Sequence, residues 1–317
     1  MKMKVTAGPS AAIRLNSAEI SQAGRILLGS LTIVLVMFMT AYAAKAVIDD
    51  DLLGVSFPEA EKGWVCGRYG SMYHSTDGGK TWSAQATYTD ATLASVFFVD
   101  PKNGWAAGDG STIIHTMDGG KTWTQQKSPV SDSYLMDVFF VSTTKGWIVT
   151  ERSRILHTDN GGKTWTIQFS DLDIFLKALS FSDPLNGWAV GEYGFIYHTS
   201  DGGAHWEKQA GEYNADITTG QIIGGHYLFG VTAVDSKRAW AVGIDGYVVK
   251  TLNGGKTWEV VPTGSGTIAF TSISNNGPGK MLAIARKEEG IIVSTDEGQT
   301  WTKPPLQPSI GYGWVYR

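Results

Sequence analysis

The phrase HSTDGGKTW, residues 74–82, returns with small edits five more times before the chain ends. Aligned on the closing tryptophan, the copies end at Trp82, Trp123, Trp165, Trp206, Trp258 and Trp301, at intervals of 41, 42, 41, 52 and 43 residues. A second tryptophan stands 18 residues before each of the first five: Trp64, Trp105, Trp147, Trp188 and Trp240. The sixth unit keeps the rhythm with Leu282, because its loop ARKEEG is one residue longer. A fixed period of this size means a repeat architecture, and it constrains the fold more than any other feature.

Residues 93–127 show how one unit reads. LASVFFVD is an apolar strand and NGWAAG a second; STIIHT is a third, MDGG a turn and KTWTQQK a fourth. Short β runs separated by Gly, Asn and Asp turns make four-stranded antiparallel sheets. One such sheet cannot cover both of its faces, so neighbours must stack, and a unit of about 42 residues is the length of a propeller blade. The chain is therefore expected to be an all-β propeller. Six blades fit between Leu52 and Pro304, with seven as the alternative if the tail PLQPSIGYGWVYR completes a composite last blade.

The first 46 residues read differently. Lys2, Lys4, Arg14 and Arg25 precede the apolar run 26–44, ILLGSLTIVLVMFMTAYAA, which ends in small residues. That is the pattern of an export signal, and the run is also near the ~20 residues a membrane span needs. The expected division is a signal peptide or signal anchor over 1–46 and a propeller over 47–317. The propeller is expected to be exported to a periplasmic or other extracytoplasmic space, with membrane contact through the N-terminal segment if it stays uncleaved. Without residues 1–46 the chain carries 21 basic and 29 acidic residues, a net charge of −8. That balance argues against a nucleic-acid partner. Cys66 is the lone cysteine, so neither an internal disulfide nor a cysteine zinc site can form.

The repeated phrase has a mechanical logic. Asp77, Asp118, Asn160, Asp201, Asn253 and Asp296 each sit two residues after a Ser or Thr and two before a Gly. An Asp or Asn here accepts backbone N–H bonds inside a turn, the Gly supplies a positive φ, and the hydroxyl ties the end. The closing tryptophan is expected to plug the space under the turn, and its truncation to Ala to cost about 3–5 kcal/mol. A catalytic group is needed once, whereas a brace is needed in every blade. The six acidic or amide residues are therefore read as scaffold rather than as ligands. His74, His115, His157 and His198 recur at one strand position, one per blade. With strands ~4.8 Å apart and one histidine per sheet they stand too far apart to share an ion. No metal, cofactor or catalytic residue is expected.

The form [Ser/Thr]-x-[Asp/Asn]-x-Gly-x-x-Trp resembles the Asp-box, or bacterial neuraminidase repeat. Coupled to Gly-Trp second strands over roughly residues 52–304, it resembles the photosystem II stability and assembly factor-like propellers. The resemblance implies a non-enzymatic protein that binds a partner protein in or at the membrane and assists assembly. The better-known members are seven-bladed with an arginine-rich surface, whereas this chain has six boxes.

In a propeller the loops between second and third strands share a face with the links between blades, opposite the boxes. Here that rim places Arg68, Tyr69, Arg152, Arg154, Tyr193, Arg286 and Lys287 together, but Asp109, Glu151, Glu192, Asp245, Glu288 and Glu289 share it. The longest link, 211–227, brings Tyr213 and Tyr227 to the same rim. Long connections on a rigid scaffold are common binding places, so the rim is the expected partner-binding face of a monomer. The rival readings are a sialidase-like glycoside hydrolase and an envelope polysaccharide-binding module. Nothing singles out an arginine triad or a carboxylate pair, and no GxSxG, HExxH or phosphate-binding loop is present.

Overall fold

The second strands show why the units must pack together. All five residues of Gly104–Gly108 are buried, as are those of Gly146–Thr150, Gly187–Gly191 and Ala239–Gly243. A strand that is apolar on both faces needs a layer on each side. The computed structural model describes residues 48, 50–171, 174–215, 222–263, 269–275, 281–286 and 290–302. All of them lie in the unit Ala46–Arg317. The expected signal or anchor, the tail after Thr302 and Lys287 lie outside the described residues.

Five four-stranded antiparallel sheets follow one another in sequence order. Sheet 1 is Leu52–Glu59, Lys62–Gly67, Met72–Ser75 and Ser83–Ala84. Sheet 2 is Leu93–Phe98, Gly104–Gly108, Ile113–Thr116 and Thr124–Gln126; sheet 3 is Leu135–Phe140, Gly146–Thr150, Arg154–Thr158 and Thr166–Ser170. Sheet 4 is Leu176–Phe181, Gly187–Gly191, Ile196–Thr199 and Glu207–Ala210. Sheet 5 is Leu228–Ala233, Ala239–Gly243, Val248–Thr251 and Glu259–Val260. A further pair, Met281–Arg286 with Gly290–Ser294, is extended by a bridge from Val293 to Thr302. The long link holds a two-stranded hairpin of its own, Tyr213–Ala215 with Ile222–Gly224. The helical turns among the described residues are short 3-10 turns. No helix among them is long and apolar enough to cross a membrane.

Successive first strands lie side by side, joined by side chains rather than by a backbone ladder. Ser56 Oγ accepts from Phe98 N at 2.9 Å, Ser95 Oγ donates to Asp137 Oδ1 at 2.8 Å, and Leu179 N donates to Asp137 Oδ2 at 3.1 Å. Ser180 Oγ then accepts from Ala233 N at 3.0 Å. The result is a propeller-like arrangement about a common cavity. Its wall takes Val55, Ser95, Asp137, Ala178 and Gly230 from the five sheets in turn, and Ser272 from the segment that follows them.

The core is aromatic and lies between the sheets. Trp64 of sheet 1 stacks on Phe98 of sheet 2 with centroids 3.7 Å apart; Trp105 stacks on Phe140 at 3.6 Å and Trp147 on Phe181 at 3.6 Å. Each such phenylalanine pairs across its own sheet with the Gly of the Gly-Trp dipeptide. A Cβ at Gly104 would fall 2.5 Å from the Phe98 ring. The glycine leaves room for the ring, and the neighbouring indole covers it.

Candidate functional site

The six boxes share one geometry, shown by residues 116–123. Thr116 Oγ1 donates to Asp118 Oδ1 at 2.8 Å and accepts from Gly120 N at 2.8 Å. Asp118 Oδ1 accepts from Thr122 N at 2.9 Å, and Asp118 Oδ2 accepts from the Thr122 hydroxyl at 2.7 Å. Gly119 and Gly120 both take left-handed φ values, 74° and 83°. Asn160 and Asn253 reproduce the arrangement with the last bond reversed, their amides donating to Thr164 and Thr257. Every polar atom of the box residue is thus spent inside its own turn. Hydrogen bonds to the charged form stabilise it. The Thr81 hydroxyl holds the Asp77 carboxyl down at about 2, the His205 amide holds Asp201 at about 2, and the Thr300 hydroxyl holds Asp296 at about 2. Asp118 is lowered likewise, chiefly by the Thr122 amide.

The closing tryptophans stand edge-on to the interface phenylalanines: Trp123 on Phe98, Trp165 on Phe140 and Trp206 on Phe181. Trp123 and Trp165 are buried, whereas Trp82, Trp206, Trp258 and Trp301 keep an exposed edge. The fully buried indoles are those of the second strands, Trp64, Trp105, Trp147, Trp188 and Trp240.

The boxes also join one sheet to the next, through a residue the sequence reading missed. Gln85, Gln126, Gln168 and Gln209 each follow a box tryptophan by three positions. Their amides donate to the box carbonyls of the following sheet, at Gly119, Gly161, Gly202 and Gly254, over 2.8–3.1 Å. Trp64 and Trp105 add indole N–H bonds to Gly119 and Gly161, both 3.2 Å. The spacing was visible in the sequence, but a glutamine on an outer strand carries no signal that its partner lies in the next repeat.

The four histidines pack on the second-strand indoles: His115 stacks on Trp105 at 4.5 Å and His74 on Trp64 at 4.4 Å, whereas His157 and His198 are tilted by 38° and 36° against Trp147 and Trp188. Burial lowers the pKa of each, so the rings are neutral at pH 7. Among the described residues no group of three or more His, Cys, Asp or Glu could hold a metal ion.

The opposite rim is built from the second-to-third-strand loops and the links. Arg68 is exposed and pairs with Asp51 at 3.4 Å. Arg152 is exposed in the sheet 3 loop, and Arg154 opens that sheet's third strand half-buried. Arg286 ends the strand Met281–Arg286. Tyr193 packs against Tyr213 at 5.0 Å and Tyr227 at 5.2 Å, so the long link folds back onto the sheet 4 loop. Its hydroxyl bonds that of Tyr227, which pushes the Tyr193 phenol up to about 12. Tyr69, at the matching place in sheet 1, is 76% exposed. Arg238 directly precedes the second strand of sheet 5, held by Asp235 and Glu297 at 2.7 Å each. Among the described residues that line the common cavity, Asp137 is the sole carboxylate.

Comparison with known proteins agrees with the motif reading. Residues 40–128 and 82–172 match the family model of the photosynthesis system II assembly factor YCF48, and residues 292–303 match the BNR/Asp-box repeat. The resemblance drawn from the boxes and the Gly-Trp strands is borne out. No curated protein matches the chain in sequence. Among solved structures, YCF48 bound to a D1 peptide is 21% identical with a TM-score of 0.62, the match covering 80% of this chain and 80% of that one. YCF48 from Cyanidioschyzon merolae is 18% identical at a TM-score of 0.63, covering 83% and 88%. The GH74 xyloglucanase from Xanthomonas campestris is 12% identical at 0.60, covering 82% of this chain and 45% of that one. At these identities the likeness is one of fold.

Proposed function

We propose that the chain is a non-enzymatic, exported, six-bladed propeller that binds a partner protein on its rim and assists assembly or operation of a membrane or envelope complex. The observation that carries the reading is the division of labour between the two faces. On the box face every box carboxylate is consumed by its own turn. On the rim, by contrast, Arg68, Arg152, Tyr69 and Tyr88 stand in solvent. The match to an assembly-factor family points the same way, as does a solved relative by fold that carries a bound peptide.

Support for six blades comes from the cavity wall, which takes residues from sheets 1 to 5 and then from 272–273, followed by a sixth box at Ser294–Trp301. Residues 26–44 would deliver the propeller across a membrane, or hold it there, and it would act as a monomer without a cofactor. Against a glycosidase stands the cavity wall, because hydrolysis needs two carboxylates at a set separation. Among the described residues of that wall Asp137 is the one carboxylate, with its oxygens engaged by Ser95 and Leu179.

Deletion of residues 213–225 from the tagged full chain should change the set of proteins that co-purify with it from membranes, while leaving its thermal unfolding cooperative. An unchanged set would count against the rim. Turnover of any member of a fluorogenic glycoside panel would revive the enzyme reading.

A further inference from the structure

Two rim loops share one backbone design. Gly67-Arg68-Tyr69-Gly70 and Gly191-Glu192-Tyr193-Gly194 both close in a 3-10 turn with the tyrosine left-handed, at φ 55° and 54°. A left-handed tyrosine is costly unless something repays it. In sheet 4 the surroundings do so. The hairpin seats Tyr213 edge-on against the Tyr193 ring, Glu212 N donates to Tyr193 O at 3.3 Å, and Gly224 lies so close that a Cβ there would sit 2.3 Å from Tyr193 Cδ1. In sheet 1 the same turn is pinned by its link, Gly70 N to Ala91 O at 2.9 Å and Thr87 Oγ1 to Gly70 O at 2.7 Å. Yet no ring packs on Tyr69 among the described residues. In that link, between Thr87 and Thr89, which both approach Gly70, Tyr88 is 86% exposed and also left-handed, at φ 58°.

We propose that Tyr69 and Tyr88 form a docking site for an extended segment of a partner protein, seated as the chain's own hairpin is seated on Tyr193. This rests on the reading of the rim as the partner-binding face and adds the chemistry of what binds. The segment brings an aromatic ring edge-on to Tyr69, with glycine at the closest approach. Charge supplies the second requirement. The residue before the tyrosine is Glu192 in the covered loop and Arg68 in the bare one. The hairpin sets Glu212 immediately before its docking ring, and the same placement at Tyr69 puts an acid beside Arg68. The Arg68–Asp51 pair is exposed on both sides, 55% and 72%, so it can exchange partners at little cost. The occupant is therefore an extended segment with an acidic residue directly before an aromatic one.

The test uses the full chain with 3-fluorotyrosine at position 69 and, as probe, a cyclised peptide of residues 211–227, read by fluorine NMR. A saturable shift is expected. The Tyr213→Ala peptide should bind about tenfold more weakly. Arg68→Glu should weaken the parent peptide, and the Glu212→Lys peptide should recover binding to that variant. No saturable shift up to about 1 mM, weaker than any useful contact, would overturn the proposal, as would equal binding by all the peptides. If position 69 responds only after residues 303–317 are removed, the chain's own tail holds the site and the partner assignment is overturned. Each of these failures leaves the co-purification result on the 213–225 deletion standing, so the two readings can fail separately.

Discussion

The junction between sheets 2 and 3 and the junction after sheet 5 are written in the same repeat, yet they are held differently. In the first, Trp105 is sandwiched between His115 and Phe140, and its N–H bonds Gly161 O; Gln126 bonds the same carbonyl and accepts from Trp165. In the second, Lys250 and Asn275 stand where the stacking rings would be and Val261 stands where the glutamine would be. The Trp240 N–H has no partner among the described residues. The connection passes instead to Arg238, which reaches Glu297 in the following box at 2.7 Å. Glu297 takes a left-handed φ of 58° where the earlier boxes have glycine. The repeat specifies each blade, while the joint between blades depends on a few positions that drift. Where the buried amide contacts are lost, a half-exposed ion pair takes over.

The sharpest break in this comparison is at the indoles. Trp105→Ala should cost about 3–5 kcal/mol. Trp240→Ala should cost less by about 0.5–1.5 kcal/mol, the worth of the missing ring stack. Urea unfolding of the two variants measures the difference, and equal losses would erase the distinction between the joints. Gln126→Ala should cost about 1–3 kcal/mol, because it strips a partner from Trp165 Nε1 and weakens the cover on Gly161 O. Glu297→Gln should cost only about 0.5–1 kcal/mol, and the loss should shrink in high salt, since both partners are partly exposed.

Acid tests the stacked histidines and then the boxes. The folded-state pKa values of the four histidines are lowered by burial, so the unfolded chain binds more protons as pH falls below about 6.5 and stability declines there. The box carboxylates are also lowered, to about 2 for Asp77, Asp201 and Asp296. Their contribution is whole above the ordinary carboxylate value near 4 and is lost as pH falls from there toward 2. His115→Phe keeps a ring on Trp105 and should flatten the dependence of Tm on pH between about 5 and 7. The smallest effect is at Asp118→Asn, which should leave Tm at pH 7 nearly unchanged, because Asn160 and Asn253 already fill that role in two boxes.

The strands and boxes were legible because both are local. Asp118 finds all its partners within four residues, and the Gly-Trp strands announce their burial by composition. What joins the sheets was not legible. Gln126 reaches Gly161 over 35 residues, and the sequence does not mark which carbonyl an amide will find. The second-strand indoles were legible as a spacing but not in their packing role. Trp105 is fully buried between two sheets, whereas Trp82 and Trp301 are only half-buried. On the rim, the sequence placed Tyr193, Tyr213 and Tyr227 on one face. It did not foresee that Tyr213–Ala215 and Ile222–Gly224 pair as a hairpin, since three-residue strands fall below what alternation can reveal.

The central claim is that one face braces and the other binds. Photo-crosslinking in producing cells tests it most directly, with benzoylphenylalanine placed at Tyr88 on the rim or at Met117, which is 71% exposed in a box. Under this account Tyr88 yields crosslinks to an acidic and aromatic segment of a defined membrane or envelope protein, and Met117 yields none above background. Equal or stronger capture at Met117, with none at Tyr88, would place the working surface on the boxes and contradict the account.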